Sequence, residues 1–180
     1  MHYLCDVETK NLYIQGAEDG VAMGVLLTAT SLAFIYGGRS TVAGFIGIVL
    51  ACLALVLLYK RLRRHITRTG SAQVAQLWTL GIVIMACGSI ICGAVTYVWL
   101  EYVEPTFIYD QAMAAIEAYD AIPELSGSDM VATMRLAIDE GLLPSAIEFV
   151  VNMIMLTVFT GSLASLIMAA VLKARGTAKP

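Results

Sequence analysis

Charge is what this chain has least of. Only 14% of its 180 residues are Asp, Glu, Lys or Arg, against about 25% in a soluble domain. Apolar residues make up 59%, where about 45–50% is usual. One soluble core of this length does not need that excess, and it is gathered into runs, as in membrane spans. Histidine occurs only as His2 and His65. The cysteines are Cys5, Cys52, Cys87 and Cys92, with no C-x-x-C spacing, and the last three lie inside apolar runs. That excludes a disulfide framework and argues against a metal site, so neither metal nor cofactor is expected. Residues 1–19 hold Asp6, Glu8, Lys10, Glu18 and Asp19 and no apolar core, so they do not read as a cleavable signal. No nucleophile elbow, zinc-protease motif, glycine-rich phosphate loop or kinase motif occurs, and no catalytic residue is assigned. The few basic residues mostly flank apolar runs, which argues against nucleic acid as a partner.

Four apolar runs stand out, over residues 20–38, 41–59, 75–102 and 145–172. Residues 1–16 are mixed and read as a segment at the membrane surface. The first span opens with Gly20 and Gly24, a GxxxG pair that lets a neighbouring helix approach closely. Ala43, Gly47 and Ala51 make a similar stripe on the second span, and Thr157, Gly161, Ser165 and Ala169 another on the fourth. The connection Gly37-Gly38-Arg39-Ser40 is short enough to force the first two spans antiparallel. Trp78 near one end of the third span, and Tyr97, Trp99 and Tyr102 near the other, suit interfacial aromatic belts.

Residues 105–143 differ, with seven acids opposed only by Arg135. Pro105 is placed to open a helix. Ile108, Ala112, Ala115, Ile116 and Tyr119 fall on one face, and Asp110, Glu117 and Glu124 on another. Pro123 and Ser126-Gly127-Ser128 break this helix. A second follows with Met130, Val131, Met134, Ala137 and Ile138 inward, Gly141 as its C-cap and Pro144 starting the last span. The pattern predicts an acidic helical hairpin with an apolar underside. No calcium-loop spacing accompanies the acids.

Between the second and third spans lies Tyr59-Lys60-Arg61-Leu62-Arg63-Arg64-His65-Ile66-Thr67-Arg68, with five of the eleven basic residues. Lys60, Arg64 and Arg68 at i, i+4 spacing continue the second helix past its apolar part, and Gly70-Ser71 ends it. With this loop and both termini on one side, that side holds nine cations: Lys10, Lys60, Arg61, Arg63, Arg64, Arg68, Lys173, Arg175 and Lys179. The other side holds two, Arg39 and Arg135. The positive-inside rule makes the nine-cation side cytoplasmic. The expectation is an all-α integral membrane protein: one membrane domain over residues 1–180, four transmembrane helices, both termini cytoplasmic and the acidic hairpin outside.

Two features carry function hypotheses. Lys60, Arg61, Arg63, Arg64 and Arg68 hold their loop inside, bind anionic lipid or dock a cytoplasmic partner, readings that do not exclude one another. A lone His65 among arginines reads as solvated. Glu148, with Asn152 one turn on, is the only ionisable residue within the apolar part of a span, a pattern for a proton or cation site in a small transporter or channel subunit. Glu148 also lies near the interface, within snorkelling reach.

The Tyr59-Lys60-Arg61 loop, Gly70-Ser-Ala-Gln-Val-Ala-Gln76, the aromatic and acid-Pro segment Tyr97-Val-Trp-Leu-Glu-Tyr-Val-Glu-Pro-Thr-Phe107, Pro144, and the closing Ser165-Leu-Ile-Met-Ala-Ala-Val-Leu-Lys173 together carry a resemblance. Along nearly its whole length the chain resembles the bacterial four-span membrane family catalogued as a domain of unknown function (DUF4199). The resemblance implies no established activity and no catalytic residues. It implies the bacterial inner membrane, and company with membrane-associated family-two glycosyltransferases of the polyprenyl-phosphate type. The expected function is therefore a non-catalytic scaffold or accessory subunit that anchors such an enzyme, with membrane lipid, polyprenyl phosphate among them, as a further partner. Three small-residue stripes leave room for a homo-oligomer.

Overall fold

In a bilayer the backbone N–H and C=O groups must be satisfied within the protein, and a single long apolar run does this by forming a helix. The computed structural model describes residues 2–38, 40–69, 73–122 and 129–177, with side chains for 13–38, 40–68, 73–122 and 129–174. Arg39, the break at Gly70-Ser71, the break at Pro123 and 126–128, and the side chains of Lys10, Glu124, Arg175 and Lys179 lie outside these residues.

Six α-helices and no strands occur among the described residues: α1 (His2–Gly37), α2 (Thr41–Thr69), α3 (Val74–Tyr102), α4 (Phe107–Asp120), α5 (Asp129–Asp139) and α6 (Ala146–Thr177). Among the described residues, four stretches are long and apolar enough to cross a membrane: Tyr13–Gly37, Thr41–Arg68, Val74–Tyr102 and Ala146–Ala174. The segment expected to lie on the surface is instead helical and continuous with the first span, since nothing in residues 2–19 breaks a helix. The helix α2 does run on through its basic residues.

The chain forms two compact units, Met1–Thr96 with Asn152–Pro180, and Tyr97–Val151. In the first, α3 is the central helix: 50% of its apolar window is buried, against 17–22% in the other three. Its neighbours are set by small residues. A Cβ on Gly20 would stand 2.6 Å from that of Cys87, and one on Gly24 2.9 Å from that of Ile91, so the GxxxG face of α1 lies against α3. Gly16 extends that face, meeting Val83 and Leu80. The pairing is parallel, and Ser31 and Thr96 hydrogen-bond across it at 3.1 Å. On the other side of α3, Gly81 meets Ser165 and Met85 meets Gly161, an antiparallel pairing with α6. Gly47 of α2 receives the Phe34 ring of α1, with the half-buried Ala43 and Ala51 flanking it. One apolar cluster draws on all four helices, including Met23, Leu58, Leu62, Leu77, Leu80 and Leu172.

In the second unit, α4 and α5 pack on one another. Ile116 and Val131 are buried, and Ile108, Ala112, Ala115 and Tyr119 are half-buried on the apolar face read from the sequence. Met130 departs from that reading. It is 60% exposed, because the inward face of α5 runs through Val131, Met134 and Ile138. Asp120 and Arg135 form an ion pair between the two helices. Gly141 (φ +68°) ends α5 in the left-handed conformation. Gly141 N–H donates to Ile138 O and Leu142 N–H to Ala137 O, the two bonds of a Schellman cap. The helix α4 starts two residues after Pro105, at Phe107. The Phe107 ring meets that of Phe149 edge-on, with centroids 6.4 Å apart.

Candidate functional site: a cationic helix face

From Tyr59 onward, α2 divides sharply. Leu58, Leu62 and His65 are buried, while Lys60, Arg63, Arg64, Thr67 and Arg68 are exposed. This is the i, i+3, i+4 spacing of an amphipathic helix, with a cationic rather than merely polar outer face. Arg61 lies at the boundary and is taken up within the molecule. Its guanidinium donates to the Asp19 carboxylate of α1 at 2.6 Å, with the Asp19 side chain only 11% exposed. One turn on, Gln15 Oε1 and His65 Nδ1 are 3.3 Å apart. His65 is 6% exposed, so it is not the solvated loop residue expected from its arginine neighbours. It faces the core because Leu58 and Leu62 on the same side do.

Of the five cations singled out in the sequence, the structure thus presents four on one outer face and engages the fifth. The sequence reading missed Asp19 and Gln15. The signal that could have found them was present: Gln15 and Asp19 on α1, and Arg61 and His65 on α2, each sit one turn apart, the spacing of two stacked polar pairs between antiparallel helices.

Glu148 lies elsewhere, in the first turn of α6. It is exposed, and its carboxylate accepts from Ser145 N–H at 2.8 Å and from Ser145 Oγ at 2.9 Å, while the Glu148 N–H reaches back to Ser145 Oγ at 3.4 Å. This is a reciprocal capping box, written in the sequence as Ser145-Ala-Ile-Glu148 and overlooked there. Asn152 is exposed one turn further along. Trp78, assigned to an aromatic belt, donates its indole N–H to Ser162 Oγ at 3.1 Å. In the fourth-span stripe, Ser165 is buried and its hydroxyl returns to the Gly161 carbonyl at 2.5 Å.

Within the second unit, a cavity of about 350 Å³ is lined by Glu101, Glu104, Tyr109, Pro144 and Ser145 among others. Most of these belong to the aromatic and acid-Pro segment and the Pro144 turn. No group of His, Cys, Asp and Glu suited to a metal ion occurs among the described residues.

A family model described as "Protein of unknown function (DUF4199)" matches residues 18–174. No curated protein and no solved structure matches the chain.

Proposed function

The chain belongs to the DUF4199 family, and from that premise we propose that it is a non-catalytic accessory subunit of a bacterial inner membrane. In this reading both termini and the cationic end of α2 are cytoplasmic, and α4 and α5 form a hairpin outside. Lys60, Arg63, Arg64 and Arg68 hold a polyprenyl-phosphate glycosyltransferase, or the lipid phosphate it works on, at the inner face. The observation that carries this is the exposure of those four side chains on one helix face whose opposite side is packed into the core. The nine-to-two distribution of cations supports the orientation.

The transport reading draws less support, because the Glu148 carboxylate is engaged in capping α6. The test is affinity purification of the full-length chain from native membranes in mild detergent. A family-two glycosyltransferase should accompany the wild type and be lost when Lys60, Arg63, Arg64 and Arg68 are changed to Gln. Purification of the wild type without any such enzyme would remove that partner from the account.

A further inference from the structure

The outer face of α2 is one uninterrupted track. Val42, Ile46, Val49, Leu53, Val56, Lys60, Arg63 and Thr67 follow at alternating steps of four and three residues, and all are exposed. The track is apolar as far as Val56 and cationic from Lys60.

The level at which it turns cationic matches that of Glu18 and Asp19 on α1 but differs from that of the surface of α6. Arg61 pairs with Asp19. The next residue of α1, Gly20, lies against Ile84 and Cys87 of α3, and Met85 between them lies against Gly161 of α6. The first cations of α2 therefore stand level with Gly161. From there α6 stays apolar to Leu172, with Leu163, Leu166, Ile167 and Val171 exposed. That is about eleven residues, or roughly 16 Å of further apolar surface. Acyl chains that cover this part of α6 bring hydrocarbon to the depth of Lys60 and Arg64. Cations at that depth are matched by an anion whose chain lies in the leaflet, as a lipid phosphate does.

We propose that Lys60, Arg63 and Arg64 hold the phosphate of an anionic lipid whose chain lies along Val49, Leu53 and Val56. This deepens the reading of the cationic face given above, but needs no transferase. Its test therefore uses the purified chain alone, and its failure would leave the co-purification result standing.

The full-length protein is reconstituted in nanodiscs containing equal amounts of dioleoyl phosphatidylglycerol and dioleoyl phosphatidylcholine. The lipids it retains are then counted by native mass spectrometry. Wild type should retain phosphatidylglycerol preferentially, and each of Lys60→Gln, Arg63→Gln and Arg64→Gln should lower that preference, by about fivefold per cation. Val49→Ser with Leu53→Ser and Val56→Ser, all cations kept, should weaken retention of the dioleoyl lipid relative to a dihexanoyl one. Inorganic phosphate at millimolar concentration should displace neither. The proposal is overturned if the triple Gln variant keeps the wild-type preference, or if inorganic phosphate empties the site, which would make it a site for a free anion. All the substituted side chains are exposed, and thermal unfolding of each variant checks that the fold is intact.

Discussion

Asp19 of α1 and Arg61 of α2 form an ion pair at 2.6 Å, one turn from the Gln15–His65 hydrogen bond between the same two helices. These two polar layers fix the register of α1 against the basic part of α2. They leave Lys60, Arg63, Arg64 and Arg68 on the outer face.

Removing one partner of this pair leaves the other half-buried and unmatched. Asp19→Asn should lower stability by about 2 kcal/mol, the scale of a lost hydrogen bond to a charged group. Arg61→Gln in the same chain should restore part of that loss. Unfolding of the purified protein in detergent measures both. If Asp19→Asn unfolds like wild type, the pair does not set the register.

The glycines of α1 make a second, sterically graded prediction. A methyl on Gly20 would meet the Cys87 Cβ at 2.6 Å, so Gly20→Ala forces two helices apart and should cost about 1–3 kcal/mol. At Gly44 the nearest atom is 3.9 Å away, the Gly37 Cα. Gly44→Ala should therefore be neutral or stabilising by up to about 1 kcal/mol through helix propensity. The same unfolding assay compares them, and equal effects would contradict the packing described.

The capping box at the start of α6 separates structure from transport at Glu148. Ser145→Ala should cost about 1 kcal/mol. Glu148→Gln preserves an acceptor at the capping position and should be nearly neutral. It should also leave any ion flux into liposomes unchanged. A flux present in wild type and abolished by Glu148→Gln would return this residue to a transport role.

The stagger between α2 and α6 predicts unequal water access at equal height. Gln15 joins His65, Gly16 meets Leu80, and Gly81 meets Ser165, which puts Thr67 and Ile167 at about one level. Both are exposed. In a cysteine-free background with membranes opened on both sides, a water-soluble maleimide should label Thr67→Cys and spare Ile167→Cys. Equal labelling would mean that the two helices meet the bilayer at the same height.

The four spans and the amphipathic faces of α4 and α5 were legible in the sequence, because hydropathy and periodicity act locally. The helical continuation of α2 was legible for the same reason, through Lys60, Arg64 and Arg68. The Asp19–Arg61 pair was not, since it depends on the register of two helices, which no local pattern states. His65 was misread because its neighbours in sequence are arginines, whereas its neighbours in space are set by Leu58 and Leu62. The Ser145–Glu148 capping box is written in the sequence at three-residue spacing, but neither hydropathy nor depth from the interface reports it. Met130 was placed inward by a pattern that its position in the first turn of α5 does not obey.

The most direct test of the account is the side of the membrane on which the cationic face lies. Thr67→Cys beside that face and Ala118→Cys on α4 are each introduced into a cysteine-free chain in cells. An impermeant maleimide is then added before and after the inner membrane is permeabilised. The account predicts that Ala118→Cys reacts while that membrane is still intact and that Thr67→Cys reacts only after permeabilisation. The reverse pattern would put Lys60, Arg63, Arg64 and Arg68 outside the cytoplasm and contradict the proposed function.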